Sequence, residues 1–216
     1  MTRPSDDSFA PLALTMGEPA GVGPEITLKA WAAREREHLP PFFVIGAPAL
    51  YADLARSLHL DIAIAEIAAP HEAASVFAKA LPVLSVALAA PVVAGTLAPA
   101  NAAAVMRSID MACDFALSGE VAALVTNPIH KRALYEAGLS VPGHTEYLSE
   151  RCGGATPVMM LSCPGLRVVP VTVHEALRNV PAKLTSALIA EKGLILARAL
   201  KHDLGLSAPR LAVAGL

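Results

Sequence analysis

Several features are absent from this sequence, and each absence argues against a class of function. There is no excess of positive charge, because 17 basic and 19 acidic residues give a net charge of −2. A broad electropositive surface for nucleic acid is therefore not expected. There is also no C-x-x-C pair. The three cysteines are Cys113, Cys152 and Cys163, an odd number that favours reduced thiols in a cytosolic protein over zinc-finger chemistry.

Signals for secretion or membrane insertion are also absent. Met1–Ala10 has no apolar run of the kind found in a secretory signal, so a cytoplasmic location is expected. Leu81–Met106 carries no charge and is long enough to cross a bilayer, but Pro82, Pro91 and Pro99 would interrupt a spanning helix. We expect a buried strand, a turn and the start of a helix in this segment, and no membrane partner.

The remaining composition is that of a globular α/β protein. Of the 216 residues, 54% are hydrophobic and 17% are charged, which is enough for one large domain or two small ones. Short apolar runs alternate with longer amphipathic stretches, as in α/β folds. The predicted strands are Leu12–Met16, Phe42–Ile45, Ile62–Ile67, Val83–Leu88, Val121–Thr126, Val158–Ser162, Val168–Val173 and Leu211–Ala214, and the main predicted helices are Pro24–His38 and Ala182–His202.

A glycine-rich loop, Gly17–Glu25, joins the first predicted strand to the first helix. Its glycines permit a tight turn, and free N–H groups at the helix start can meet an anion. The spacing is not G-x-G-x-x-G, and the second strand ends in Ile45–Pro48 without an acidic residue for a ribose, so an ordinary dinucleotide-binding fold is excluded. Two interpretations stay open: an anion-binding loop, or a tight turn without a ligand.

A second polar cluster, Thr126–Lys131, begins where a predicted strand ends. Pro128 can start the next helix, and hydroxyl, amide and ammonium groups gather around it. Such a cluster can hold a phosphate, with Lys131 as a point-charge donor. A lysine in the first turn of a helix is also often merely solvated, so both interpretations remain.

Two histidines lie in loops that follow apolar strands. His144 belongs to the segment Val141–Tyr147, and His174 ends the segment Val171–His174. A histidine taken singly is more often a structural group than a ligand. Two of them in comparable positions favour a binding or catalytic site.

Together with Thr15–Glu25 and Val125–Lys131, the two histidine segments form a pattern that resembles the 4-hydroxythreonine-4-phosphate dehydrogenase family. Its members are metal- and NAD-dependent enzymes of pyridoxal phosphate biosynthesis. The resemblance covers essentially the whole chain. It implies an α/β fold like that of isocitrate and isopropylmalate dehydrogenases, with two α/β domains and a cleft between them. The first domain would span residues 1–127 and the second, incomplete one residues 128–216.

The resemblance also implies roles for individual residues. His144 and Thr145 correspond to the pair that contacts the substrate, with Glu146 as an orienting neighbour. His174 corresponds to the first of three histidine metal ligands, which the family draws from both subunits of a homodimer. Lys131 is expected at the substrate phosphate. No catalytic residue and no cofactor-binding residue is identified.

The implied reaction explains why these groups are needed. The substrate is the phosphorylated hydroxy-amino acid 4-phosphooxy-L-threonine, and NAD or NADP accepts a hydride from its secondary alcohol. A divalent ion such as zinc, magnesium, manganese or cobalt stabilises the alkoxide, and then the enolate formed on loss of carbon dioxide. Relatives of the family act instead on four-carbon acid sugar phosphates such as threonate or erythronate 4-phosphate, which is the alternative function.

The last residues, Pro209–Leu216, are predicted to form a strand that enters the sheet. In the resembling family this strand continues into an Asn-Pro-His-Ala-Gly-Glu segment, and another histidine follows in a Tyr-His-Asp-Gln segment. Both segments are absent here, as the C-terminal third of the family's length is missing. We therefore expect the 216-residue chain to be inactive, and a non-catalytic fragment is a further alternative.

Overall fold

The computed structural model describes residues 10–138 and 143–215. The chain forms two compact units: unit 1 lies within Met1–Ala155 and unit 2 within Thr156–Leu216. The domain division expected at residues 127 and 128 concerns the family's complete fold and stays a prediction. The expectation for residues 1–9 and the first two residues of the Val141–Tyr147 motif lie outside the described residues.

Unit 1 is built on a parallel sheet. Its strands over the described residues are β1 (Leu12–Thr15), β2 (Phe42–Gly46), β3 (Ile64–Ile67), β4 (Leu81–Ser85) and β5 (Ala123–Val125). They lie in the order β3-β4-β2-β1-β5, and the described pairings are all parallel. The predicted α/β class with a parallel sheet is therefore confirmed.

Helices connect these strands and cover the sheet. In unit 1 they are α1 (Gly23–Ala32), α2 (Pro48–Ser57), α3 (Ala73–Phe77), α4 (Ala102–Ser118), α5 (Lys131–Glu136) and α6 (His144–Arg151). Short 3-10 turns, Pro70–Glu72 and Pro99–Asn101, precede α3 and α4. Pro24 and Pro48 lie in the first turns of α1 and α2, where a fixed φ and a missing N–H cost nothing.

The central strand β2 explains why the core has two sides. All five of its residues are buried, and successive side chains point to opposite faces of the sheet. Phe43 and Ile45 pack with residues of α4, whereas Phe42 and Val44 pack with residues of α1 and α2. A strand covered on both faces is a continuous apolar run, as is usual in parallel sheets.

The uncharged segment Leu81–Met106 is divided among a strand, a loop and a helix, as predicted. Its first residues form β4, Pro99 opens a 3-10 turn and α4 begins at Ala102. Within the described residues, no helix is both long enough and apolar enough to cross a membrane.

Unit 2 combines a hairpin with helices. Strands β6 (Leu161–Cys163) and β7 (Leu166–Val168) are antiparallel, and Gly165 between them has a φ of +83°. A 3-10 turn, Leu177–Asn179, is followed by α7 (Val180–Lys183) and α8 (Ser186–His202). The Thr185 hydroxyl caps α8 by accepting the Leu188 N–H at 3.1 Å.

Two strand predictions in unit 2 are wrong, and a third, Val158–Ser162, agrees with β6 only at Leu161 and Ser162. The segment Val168–Val173 leaves the strand conformation after Val168, and Pro170 lacks the N–H that a continued ladder needs. Leu211–Ala214 has no regular secondary structure despite its apolar residues. An apolar run becomes a strand only when a neighbouring strand supplies its hydrogen bonds.

Candidate functional site

The carboxyl ends of β1 and β5 are joined by Asn127, because the two strands are parallel neighbours. The Asn127 backbone N–H donates to Thr15 Oγ1 at 3.0 Å. Its Nδ2 donates to the Thr15 carbonyl at 2.9 Å and to Thr27 Oγ1 at 2.8 Å. The Thr27 hydroxyl in turn donates to the Gly23 carbonyl at 2.9 Å. Both amide hydrogens of Asn127 are therefore used within the fold.

The loop after β1 packs closely against Asn127 and Pro128, and this packing requires glycine at two positions of the loop. Gly17 has a φ of +69°, and a Cβ there would lie 2.7 Å from the Pro128 carbonyl oxygen. A Cβ on Gly23 would lie 2.9 Å from the Met16 carbonyl oxygen. Packing of the two loops thus explains both glycines without a ligand.

Several N–H groups of the same loop are committed to internal hydrogen bonds. Glu18 donates to the Pro128 carbonyl at 2.9 Å, and Gly21 donates to the Glu18 carbonyl at 3.0 Å. The Ala20 N–H donates to Glu18 Oε1 at 3.2 Å, and Glu18 is only 7% exposed. A buried carboxylate therefore already holds the loop, which favours the tight-turn interpretation over an anion-binding one.

Lys131 opens α5 and lies beside the start of α6. A Cβ on Gly143, the N-cap residue of α6, would lie 3.9 Å from Lys131 Nζ and 2.8 Å from Glu146 Oε2. Because the Asn127 amide is used internally, it is not available to the phosphate cluster predicted over Thr126–Lys131. The role of Lys131 as a phosphate ligand stays a prediction.

Contrary to the expectation from the sequence, His144 does not lie in a loop; it is the first residue of α6, and it is half-buried. Its Nε2 is shielded from solvent and has no hydrogen-bond partner among the described residues. Burial lowers the pKa of the imidazole from its ordinary value of 6.5, so the neutral form predominates at neutral pH. An unpaired buried nitrogen costs free energy that a bound polar group would recover.

Thr145 and Glu146 follow His144 in the first turn of α6, and both are exposed. A carboxylate in this turn is favourable, because the helix dipole places positive charge there. Glu146 Oε2 folds back over Gly143. The expected role of Glu146 in orienting His144 stays a prediction.

Polar contacts that we did not foresee in the sequence fix α6 to α4. The Tyr147 hydroxyl donates to Asp110 Oδ1 at 2.5 Å. Arg151 bridges two carboxylates of α4: its Nε lies 3.5 Å from Asp110 Oδ1, and its Nη2 pairs with Asp114. Burial and the hydrogen bond to Asp110 raise the pKa of Tyr147 to about 12. The sequence shows that the two aspartates are one helical turn apart, but their partners come from a distant segment.

His174 lies in unit 2, in the loop before the 3-10 turn, and is exposed. Its φ of +52° is left-handed, a conformation that costs a non-glycine residue roughly 1–2 kcal/mol. His38 and His59 share this conformation, but each closes a helical turn through a hydrogen bond donated by the next residue. His174 closes no helix, and backbone strain of this kind is often retained at functional sites.

The surroundings of His174 do not complete a metal site. The next residue, Glu175, is held by Lys183 and accepts from Asn179 Nδ2 at 2.7 Å. These hydrogen bonds, that of Lys183 foremost, lower the pKa of Glu175. No group of three or more His, Cys, Asp or Glu side chains in the described part of the chain is placed to hold a metal ion. His174 thus offers one ligand, and the described residues alone do not fit a bound metal.

Comparison with known proteins supplies the context for these residues. Residues 38–216 match the family model described as pyridoxal phosphate biosynthetic protein PdxA. A protein of Caulobacter vibrioides named 4-hydroxythreonine-4-phosphate dehydrogenase is 46% identical over 212 residues, which are 95% of this chain and 62% of that protein. A protein of the same name from Methylorubrum populi is 46% identical over 219 residues, with 98% and 62% covered.

A solved structure agrees with the sequence matches. The 4-hydroxythreonine-4-phosphate dehydrogenase of Klebsiella pneumoniae has a TM-score of 0.86 and 31% identity, and the match covers 96% of this chain and 64% of that one. This chain spans about 62% of the length of the curated relatives it matches. Since the family model covers most of the sequence and the fold agrees, the chain belongs to the PdxA family of pyridoxal phosphate biosynthetic proteins.

Proposed function

We propose that this chain carries part of the active site of an NAD- or NADP-dependent, metal-assisted dehydrogenase that oxidises and decarboxylates 4-phosphooxy-L-threonine in pyridoxal phosphate biosynthesis. The names of the relatives support this substrate class. The observation that carries the proposal is the shielded Nε2 of His144, which lacks a partner at the start of α6. Leaving such a nitrogen unpaired costs about 1–3 kcal/mol, and a substrate hydroxyl or carboxylate would pair it.

Three groups near the start of α6 suit an anionic, hydroxylated substrate. His144 supplies a neutral imidazole, Thr145 an exposed hydroxyl, and Lys131 an ammonium beside the N-cap residue. The positive end of the helix dipole also favours an anion. The Glu146 carboxylate occupies the same turn and opposes a phosphate placed directly at the helix end. We therefore assign the substrate phosphate to Lys131, and its hydroxyl or carboxylate to His144 and Thr145.

The metal and the nicotinamide cofactor belong to the proposal, although the described residues do not complete a metal site. His174 would supply one imidazole ligand, and its strained backbone supports that role. Further ligands have to come from other parts of a full-length protein or from a second subunit of a homodimer. The isocitrate dehydrogenase-like pair of domains is part of the same proposal.

Binding of the substrate tests this assignment without requiring turnover. Calorimetric titration with 4-phosphooxy-L-threonine compares the unchanged chain with His144→Ala and Thr145→Val. His130→Ala is the matched control, because this neighbouring exposed histidine has no assigned role. Loss of a hydrogen bond to a charged group raises Kd about tenfold or more, so we expect weaker binding only in the two site variants. Unchanged affinity in His144→Ala would contradict the assignment.

Turnover separates the possible functions. NAD reduction with metal is measured for the 216-residue chain and for a version extended with the part of the Caulobacter relative that this chain does not match. We expect activity only in the extended version, because the described residues hold no complete metal site. Preference for threonate 4-phosphate would favour the alternative substrate, and inactivity of both versions with either substrate would favour a non-catalytic role.

A further inference from the structure

Two cysteines distant in sequence face each other where α6 ends against α4. Cys113 lies on α4, between Asp110 and Asp114. Arg151 is the last residue of α6 and pairs with both of these aspartates. Cys152 follows Arg151 directly and is the C-cap residue of α6. The two ion pairs therefore bring Cys152 to the turn of α4 that carries Cys113.

The Arg151 ion pairs place the Cys152 thiol and the Arg151 guanidinium near the Cys113 thiol, and both groups influence its pKa. Their exposure differs: Cys113 is 1% exposed, whereas Cys152 is open to solvent. Burial, with the neighbouring Cys152 thiol, raises the pKa of Cys113, so it reacts less readily with a solute oxidant. Cys152 is the thiol that a solute meets first.

We propose that Cys113 and Cys152 form a reversible disulfide in response to a peroxide. Hydrogen peroxide oxidises the Cys152 thiol to a sulfenic acid, and the peroxide is reduced to water as its O–O bond breaks. Cys113 then gives up its proton and attacks the Cys152 sulfur, forming the S–S bond. The sulfenic oxygen leaves with that proton as a second water molecule. Arg151 supports this step, because a guanidinium beside a sulfur stabilises the thiolate.

The disulfide would add a covalent link to the partly exposed ionic contact between α6 and α4. The ion pairs of Arg151 are partly open to solvent, so they hold the helix only weakly. His144 and Thr145 begin the same helix, so the crosslink also restricts how far these side chains can move. That consequence rests on the proposed function, whereas the crosslink itself does not.

The crosslink is tested by mass spectrometry on the whole chain. The reduced protein is treated with hydrogen peroxide, its remaining thiols are blocked with N-ethylmaleimide, and its intact mass and peptides are measured. We expect a chain that has lost two hydrogen atoms, carries a single maleimide on Cys163, and yields one peptide pair joining Cys113 to Cys152. After reduction with dithiothreitol and unfolding in urea, all three thiols should react with N-ethylmaleimide.

Three cysteine variants test whether the crosslink joins Cys113 specifically to Cys152. Cys163→Ser should retain the crosslink, because this exposed cysteine of β6 lies outside the pair. Cys152→Ser should abolish it, and so should Cys113→Ala. The proposal is overturned if Cys152 accumulates as sulfinic or sulfonic acid, pairs with Cys163, or links two chains instead. These readouts do not use substrate, so failure of the proposed function would leave them standing.

Discussion

Units 1 and 2 contain similar apolar patterns but bury them to very different extents. In unit 1, Phe43, Val44 and Leu81 are fully buried. In unit 2, Leu200 is the sole buried hydrophobic residue among those described, and Leu161 and Leu166 of the hairpin are 62% and 58% exposed. An apolar pattern therefore shows which face can be buried, but burial itself requires a second surface to pack against.

Helix α8 shows this difference on one element. A stripe of apolar residues along it predicts packing on a sheet, and Leu188, Ile195 and Ala199 of that stripe are only half-buried. Other apolar residues of the helix border a groove of about 770 Å³, which Leu166 and Val168 of β7 also line. In unit 1, by contrast, helices pack against both faces of the sheet.

The largest expected difference is in the free energy of unfolding, when one apolar side chain is truncated in unit 1 and one in unit 2. Phe43→Ala should lower the free energy of unfolding by about 3–5 kcal/mol, because it leaves a cavity in a closed core. Leu166→Ala, at an exposed position of the hairpin, should change it by no more than about 0.5 kcal/mol. Urea unfolding followed by circular dichroism measures both. A comparable loss in the two variants would show that unit 2 has a core of its own.

A smaller difference is expected between two glycines with the same backbone conformation. Gly17 and Gly205 have φ values of +69° and +67°, but only Gly17 is crowded by the Pro128 carbonyl. Gly205→Ala should cost about 1 kcal/mol for the left-handed conformation alone. Gly17→Ala should cost about 2–4 kcal/mol, because the loops must also move apart. Thermal unfolding of both variants tests this, and equal costs would remove packing as the reason for Gly17.

The smallest effect concerns the pH dependence contributed by His144. Burial lowers its pKa in the folded chain below the ordinary 6.5, so the unfolded chain binds the proton more readily. The contribution to stability is therefore complete above about pH 6.5, and it is lost as the pH falls through the folded pKa. NMR titration should give a pKa below 6.5 for His144, and His144→Gln should reduce the loss of stability as the pH falls below about 6.5. An unshifted titration would contradict the burial of Nε2.

The local sequence pattern was sufficient to predict the strands and helices at the centre of unit 1. Four consecutive apolar residues, Phe42–Ile45, predict β2, because a strand buried on both faces needs no polar alternation. The prolines within Leu81–Met106 likewise predict a strand followed by a turn and a helix, since a proline in the interior of a helix interrupts it. By contrast, Leu211–Ala214 is just as apolar but forms no strand.

For the candidate site too, the sequence predicts some features, and only the structure shows the others. The sequence by itself singles out His144 and His174 as candidates, because each lies in a short motif that can be read without the structure. It also indicates the family, through motifs in a fixed order. It does not show that Asn127 uses its amide within the fold, that Lys131 lies beside Gly143, or that Arg151 brings Cys152 to Cys113. Those relations depend on distances between segments far apart in the chain, and only tertiary packing fixes such distances.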